Sequence, residues 1–191
     1  MGSIVVFENV SLDGVIQDPT GEEGFSPHDW RAGLTPTDRQ NWDKLLLDDA
    51  LGAQVLLLGR RSYEFFAARY PHRAGEMADR MNSLPKYVVS ATLADPGWNN
   101  STVLGTDTVD EVSKLKHTVN GEIRIYASSQ LVQTLIEHDL VDELRLMVYP
   151  VIVGAGKRLF ADTTSVKTLR LAETATFGDG VHVLIYRPVT G

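Results

Sequence analysis

Apolar residues fall in short blocks separated by polar, glycine- and proline-bearing stretches, and the period of those blocks changes once along the chain. Ile4-Val5-Val6-Phe7 is a β-branched run that predicts a buried strand. Ser11 to Gly33 is rich in Gly, Pro, Asp and Ser and predicts a long loop, a length that in compact domains usually carries function. Thr35-Pro36-Thr37-Asp38 predicts a helix start, with Thr35 as cap, Pro36 in the first turn and Asp38 at the positive end of the dipole. Trp42, Leu45, Leu46 and Ala50 then recur at helical spacing, and Gly52 stops the helix.

Gln54 to Leu58 predicts a second strand, followed by Gly59-Arg60-Arg61-Ser62 and short helices near Tyr63 to Arg69 and Gly75 to Asn82. Lys86 to Ser90 and Thr102 to Leu104 predict two more strands. Val109, Val112, Leu115 and Val119 form one apolar stripe of a helix. Glu122 to Tyr126 predicts a strand, and Ser128 or Ser129 opens a helix to about His138. From there the period drops to two: Leu144, Leu146 and Val148 alternate with Glu143, Arg145 and Met147. Pro150 to Arg158 predicts a loop, and Val166 to Thr176 pairs with Val181 to Arg187 around the hairpin signal Gly178-Asp179-Gly180. Alternating strands and helices followed by strands alone predict one α/β domain over residues 1–191. A mostly parallel sheet is extended by antiparallel strands, with helices on both faces.

Composition narrows the function classes. The 191 residues carry 18 basic and 25 acidic side chains, a formal charge of -7, and 43% are hydrophobic. Such a chain buries a core, and its acidic balance argues against coating nucleic acid or a membrane surface. No apolar run approaches the length of a bilayer span, and Met1 to Glu8 lacks the pattern of a targeting segment. The absence of cysteine removes disulfides, thiolate metal sites and a cysteine nucleophile, and fits a reducing cytoplasm. Histidines 28, 72, 117, 138 and 182 show no paired metal spacing, and neither a nucleophile elbow nor a Walker loop is present.

The candidate chemistry sits at three strand ends, where open α/β sheets bind ligands. At Gly59-Arg60-Arg61-Ser62, a glycine admits close approach, and two arginines suit phosphate; a surface arginine pair at a turn is the plainer alternative. Ser90-Ala91-Thr92 places hydroxyls that suit a phosphate or ribose, or equally a cap or turn. Tyr126-Ala127-Ser128-Ser129-Gln130-Leu131 sets small residues at a helix start, fitting a pyrophosphate or an ordinary N-cap. Together the three favour a dinucleotide. Gly154-Ala155-Gly156 reads as a turn, since it opens no helix.

These motifs, in this order, resemble the dihydrofolate reductase-like proteins. The pattern comprises Ser11-Leu12-Asp13-Gly14, Leu58-Gly59-Arg60-Arg61-Ser62-Tyr63-Glu64, Lys86-Tyr87-Val88-Val89-Ser90, Leu140 to Leu146, and Gly154-Ala155-Gly156-Lys157-Arg158-Leu159-Phe160. The likeness is strongest to the reductase domain of bacterial riboflavin biosynthesis, and it spans roughly Ile4 to Arg187. It implies the three-layer dihydrofolate reductase-like fold and an NADPH-dependent reductase. Such an enzyme passes hydride to a C=O or C=N bond of a pyrimidine- or pterin-like substrate, in the manner of 5-amino-6-(5-phosphoribosylamino)uracil reductase. It also implies roles. Gly59, Arg60, Arg61 and Ser62 hold adenosine-side phosphates, with Arg60 on the 2'-phosphate. Ser90, Ala91 and Thr92 line the adenine-ribose end, and Ala127, Ser128, Ser129 and Gln130 place the pyrophosphate. Ile16 and the loop around Asp13 and Gly14 cover the nicotinamide.

The chain departs from that family at the third junction. Ala127-Ser128 stands where a glycine pair or Gly-Ser is usual, and an alanine Cβ crowds a close-approaching backbone. Asp13, Asn9 and Asp43 are the candidate proton donors, Asp43 by its distance from Gly59 along the preceding helix, although a solvated role for it is the plainer reading. A zinc deaminase site needs cysteines and is excluded from this chain. A non-catalytic binding or assembly module and a true dihydrofolate reductase are the rival readings. A homodimer is expected, with the strand from Glu143 to Tyr149 contributing to its interface.

Overall fold

The computed structural model of the chain describes residues 1–25, 30, 34–178 and 180–189. His28 and Asp179, named above, lie outside the described residues, as does part of the loop from Ser11 to Gly33. The elements run β1 (Ser3–Ser11), α1 (Pro36–Gly52), β2 (Ala53–Gly59), α2 (Arg60–Ala67), α3 (Glu76–Ser83), β3 (Lys86–Val89), β4 (Ser101–Leu104), α4 (Thr108–Thr118), β5 (Glu122–Tyr126), α5 (Ser129–Glu137), β6 (Glu143–Tyr149), β7 (Leu169–Phe177) and β8 (Val181–Pro188).

The eight strands form one sheet in the order β4-β3-β2-β5-β1-β6-β8-β7. All pairs from β4 to β6 are parallel, and β6–β8 and β8–β7 are antiparallel. The sheet lies between two layers of helices, a three-layer α/β fold. Trp42 of α1, Tyr63 of α2 and Met81 of α3 pack with Met147 and Tyr149 on one face. Val112 and Leu115 of α4 and Leu131, Val132 and Leu135 of α5 pack with Ile4, Val6, Ile123 and Ile125 on the other. Burying two such clusters supplies the main driving force for the fold.

Local chemistry sets the element ends. The Thr35 hydroxyl accepts the Asp38 N–H at 3.2 Å and donates to the Asp38 carboxylate at 2.6 Å, so α1 starts where the sequence predicts. Arg80 of α3 donates to the Ala50 and Leu51 carbonyls at 3.1 and 3.4 Å and also bonds that of Ala53, closing the other end of α1. Gly178 (φ +50°) lies against the Asp38 carboxylate, where any Cβ collides, so the β7–β8 turn docks on the start of α1 only with glycine there.

Two expectations change. The strand Glu143–Tyr149 is not buried on one face alone: Glu143, Leu144, Leu146, Met147 and Tyr149 are all buried, because β6 lies inside the sheet between β1 and β8. Both of its edges are hydrogen-bonded, so it offers no free edge for a second copy. The helix after β2 starts at Arg60, three residues before the expected Tyr63, so the arginine pair forms its first turn.

A polar network joins α1 to the sheet. Asp49, on α1, meets the Arg124 guanidinium of β5 at 2.9 Å and that of Arg145 of β6 at 2.7 Å, and accepts the Tyr126 hydroxyl at 2.7 Å. Glu122 bonds Arg124 and meets Arg145 at 2.9 Å; Glu143 meets Arg145 at 2.6 Å and Arg187 at 2.7 Å. Burial pushes the Glu143 carboxyl up, but the bonds from Arg145 and Arg187 outweigh it and hold the group below its ordinary value. The Arg124 side chain is 0% exposed. Removing a partner of a buried ion pair leaves an uncompensated charge. Asp49→Ala is therefore expected to cost about 3–5 kcal/mol of stability in urea denaturation. A loss below about 1 kcal/mol would show that Glu122 alone neutralises Arg124.

Candidate functional site

The parallel strands present their C-terminal ends on one side of the sheet, and a cavity of about 820 Å³ opens over β1, β2, β3 and β5. That size is in the range of cofactor and substrate sites. Its walls join Phe7, Glu8 and Asn9 of β1 to Trp42, Asp43 and Leu46 of α1, with Ile16 and Lys157 arriving from loops. Gly59, Arg60, Arg61, Ser62, Ser90, Ala91, Thr92, Tyr126, Ala127, Ser128, Ser129, Gln130 and Leu131 all line it. The three strand ends singled out in the sequence thus converge on one space.

Two of those ends are stitched together. The Gly59 N–H donates to the Ser128 hydroxyl at 3.1 Å, and the Ser128 N–H donates to the Ser62 hydroxyl at 2.9 Å. The Ser128 hydroxyl donates in turn to the Tyr126 carbonyl at 3.2 Å. Among the described residues, no side chain caps the N-terminus of α2 or of α5. Two helix starts, each with N–H groups lacking a capping side chain and a positive dipole end, therefore face one cavity. The Arg60 guanidinium stands 4.0 Å from Glu64 and is 46% exposed, so its forked donors remain largely open to a ligand.

The junction at Ala127-Ser128 adopts left-handed backbone, φ +53° at Ala127 and +63° at Ser128. Residues with a Cβ pay about 1–2 kcal/mol each for that conformation. The glycine conformation is kept here without the glycine. The second junction is a turn: the Ser90 hydroxyl accepts the N–H groups of Thr92 and Leu93 at 3.1 and 2.9 Å.

The proton-donor candidates separate. Asp13 does not line the cavity. Its carboxylate accepts the Ser11 hydroxyl at 2.6 Å and the N–H groups of Val153 and Gly154 at 3.0 and 2.9 Å. Those bonds, the Ser11 hydroxyl first, hold its pKa down at about 2. Asp13 is a clamp between two loops and stays ionised, which corrects its assignment as a proton donor. The clamp works with Ile16 N–H to Lys157 carbonyl and Leu159 N–H to Gly14 carbonyl bonds, at 2.9 and 3.1 Å, that hang Ile16 over the cavity. Asn9 lines the cavity with its carboxamide oxygen near Trp42 Nε1 and the Tyr149 hydroxyl, at 3.4 and 3.3 Å. Asp43 lines it from α1 and is exposed.

Sequence reasoning passed over Glu8. This carboxyl is 4% exposed, lines the cavity, and its Oε2 has no hydrogen-bond partner among the described residues. Burial drives its pKa up to about 8, with slight relief from the Asn9 N–H and a further rise from Glu23. Its signal was one acidic residue inside an apolar strand, Ile4-Val5-Val6-Phe7-Glu8, where a charge is costly without a partner. Across the cavity mouth, Glu22 of the first loop meets Arg69 at 3.2 Å and Arg73 at 3.1 Å.

The sequence model of the RibD C-terminal domain family matches residues 3–183. YyaP of Bacillus subtilis (strain 168), itself described as uncharacterized, is 30% identical over 182 residues, which is 93% of this chain and 90% of YyaP. Among solved structures, a putative riboflavin biosynthesis protein from Shewanella sp. PV-4 superposes with a TM-score of 0.76 at 20% identity, covering 98% of this chain and 99% of that one. The dihydrofolate reductase of Enterococcus faecalis, complexed with NADP(H), superposes with a TM-score of 0.58 at 17% identity, covering 98% and 96%. The solved structures share this three-layer dihydrofolate reductase-like fold, and the family match extends over nearly the whole chain: this protein belongs to the RibD C-terminal domain family.

Proposed function

We propose that the chain is an NADPH-dependent reductase of a small heterocyclic substrate of the pyrimidine or pterin class. The observation that carries this reading is the pair of stitched helix starts, neither of them capped by a side chain, beside Arg60 and Arg61. Helix starts with free N–H groups favour anions, and guanidinium groups make forked bonds to phosphate. The donor set therefore fits a phosphorylated dinucleotide. The NADP(H) complex of the Enterococcus dihydrofolate reductase, on the same fold, supports the choice of coenzyme. No cysteine is present to supply a thiolate nucleophile, which agrees with chemistry delegated to a coenzyme.

In this reading Arg60 and Arg61 hold the 2'-phosphate, Ser90 to Thr92 line the adenine-ribose end, and Ser129, Gln130 and Leu131 receive the pyrophosphate. Ile16 covers the nicotinamide. The coenzyme supplies a hydride. The chain's part is to bind, orient and exclude water. Phe7, Trp42, Leu46 and Tyr126 provide the apolar walls against which a flat ring stacks. The Tyr126 hydroxyl is tied to Asp49, and burial, then the Asp49 charge, raise its pKa well above the ordinary value, so it remains a neutral wall.

Titrating NADPH against the protein tests the reading: quenching of tryptophan fluorescence at micromolar coenzyme is expected, and no response at high micromolar concentration sinks it. Arg60→Ala is expected to weaken NADPH at least tenfold and NADH less than about twofold, since the two coenzymes differ only in the 2'-phosphate. Equal losses remove Arg60 from that role. Ala127→Gly relieves a left-handed residue and is expected to raise stability by about 0.5–1 kcal/mol, after the greater freedom of unfolded glycine is subtracted. A rise in NADPH affinity in the same variant would show that the Ala127 Cβ crowds the pyrophosphate; unchanged affinity would show that it does not. Binding of NADPH without its oxidation by any pyrimidine, pterin or dihydrofolate would favour a non-catalytic module.

A further inference from the structure

β1 carries Ile4, Val6, Glu8 and Val10 in one row, and the three aliphatic members of that row pack in the core beneath α4 and α5. Glu8 lies beside Leu146 of β6 in the strand register, an aliphatic neighbour that offers a carboxylate no hydrogen bond. The aliphatic neighbours cannot hydrogen-bond, the buried Oε2 is unpartnered among the described residues, and Glu8 is one of the residues that line the cavity. Leaving a buried polar group unpaired is costly, and a ligand that satisfies it recovers that energy.

We propose that the Glu8 side chain pairs with an amide edge, –CO–NH–, of the ligand that fills this cavity. A protonated carboxyl presents one O–H donor and one C=O acceptor side by side, which match the acceptor and donor of an amide in a two-bond ring. A carboxylate offers only acceptors and would repel the amide carbonyl. Burial keeps Glu8 in the donor-bearing form at neutral pH. The inference rests on the cavity being a coenzyme-and-substrate site. Within that reading the amide edge has two sources, the carboxamide of the nicotinamide ring and the ring lactam of a pyrimidinone. The other ionisable groups lining the cavity are Glu22, Glu23 and Lys157 of the loops, Asp43 of α1, Tyr70, Tyr126 of β5 and the arginines Arg60, Arg61 and Arg73. Glu23 raises the Glu8 pKa, and Lys157 acts on Glu23 in the opposite sense.

Two substitutions separate pairing from every other role. Glu8→Gln keeps a donor and an acceptor but cannot ionise; Glu8→Leu keeps the volume and loses both. Affinities of wild type and variants are measured between pH 6 and 9.5 for three probes: NADPH, its 3-acetylpyridine analogue, which lacks the amide N–H, and uracil. For the probe that uses Glu8, Glu8→Leu is expected to lose at least about tenfold and Glu8→Gln to stay within about twofold at pH 7. Wild-type affinity is expected to fall by about tenfold per pH unit above about 8, and Glu8→Gln to be flat there. A Glu8→Leu loss that is larger for NADPH than for the acetylpyridine analogue, which keeps only the carbonyl half of the two-bond ring, assigns the carboxamide; loss of uracil binding assigns the lactam. Carbon-13 NMR of the Glu8 carboxyl in the free protein is expected to show titration near 8. Titration in the ordinary range around 4.5, a Glu8→Gln loss as large as that of Glu8→Leu, or no loss for any probe that binds wild type overturns the proposal. If wild type binds uracil with this pattern but no NADPH, the amide pairing stands and the coenzyme reading falls.

Discussion

The site depends on one unfavourable juxtaposition that the chain stabilises: two helix N-termini brought side by side. Each carries roughly half a positive charge, so the starts of α2 and α5 repel and compete for counter-charge. The reciprocal bonds through Ser128, one from Gly59 and one to Ser62, hold them in register. They leave the first-turn N–H groups of both helices without capping side chains. The left-handed backbone at Ala127 and Ser128 is part of that arrangement, since it turns the chain sharply from β5 into α5. A fold that accepts about 1–2 kcal/mol of strain per residue at one junction is holding a geometry against its local preference. An anion laid across both helix starts would relieve the repulsion, and this supports the phosphate site proposed for the cavity.

The buried ionic network does a related job from below. Asp49 ties α1 to β5 and β6 through Arg124, Arg145 and the Tyr126 hydroxyl. Tyr126 is both a cavity wall and a member of the network, and the next residue is the strained Ala127. Rigid support for β5 therefore reaches the junction directly. Replacing such a network by apolar packing is often no worse for stability, so its value here lies in fixing α1, with Trp42 and Asp43, at a set distance from the strand ends.

The layout of the fold was legible because its signals are local. The Thr35 cap, the β-branched runs and the change of period from helical to two each declare an element without reference to the rest of the chain. The strand ends that converge on the cavity were legible for the same reason, since Gly59-Arg60-Arg61-Ser62 and Ala127-Ser128-Ser129 follow strands and open helices. What stayed hidden depends on neighbours distant in sequence. The two-sided burial of β6 follows from β8 returning to lie beside it, and alternation in one strand says nothing about that. The backbone angle of Ala127 was equally invisible, since alanine ordinarily signals helix rather than a left-handed turn.

The two acids of the first strand and its turn show the limit most clearly. Asp13 sits in a turn motif that draws the eye, yet three donors bind it and keep it ionised, so its work is to pin the loop around Gly14 to the one around Gly154. Glu8 looks like an irregularity in an apolar run, yet burial, with no partner for its Oε2 among the described residues, keeps it neutral in the wall of the cavity. Five positions apart, the same functional group is driven to opposite protonation states by hydrogen bonding in one place and desolvation in the other. Residue type fixes neither outcome. The number of N–H and O–H groups that the folded chain delivers to each oxygen does, and at Asp13 that number joins the nearby Ser11 hydroxyl to the N–H groups of Val153 and Gly154, some 140 residues away along the chain.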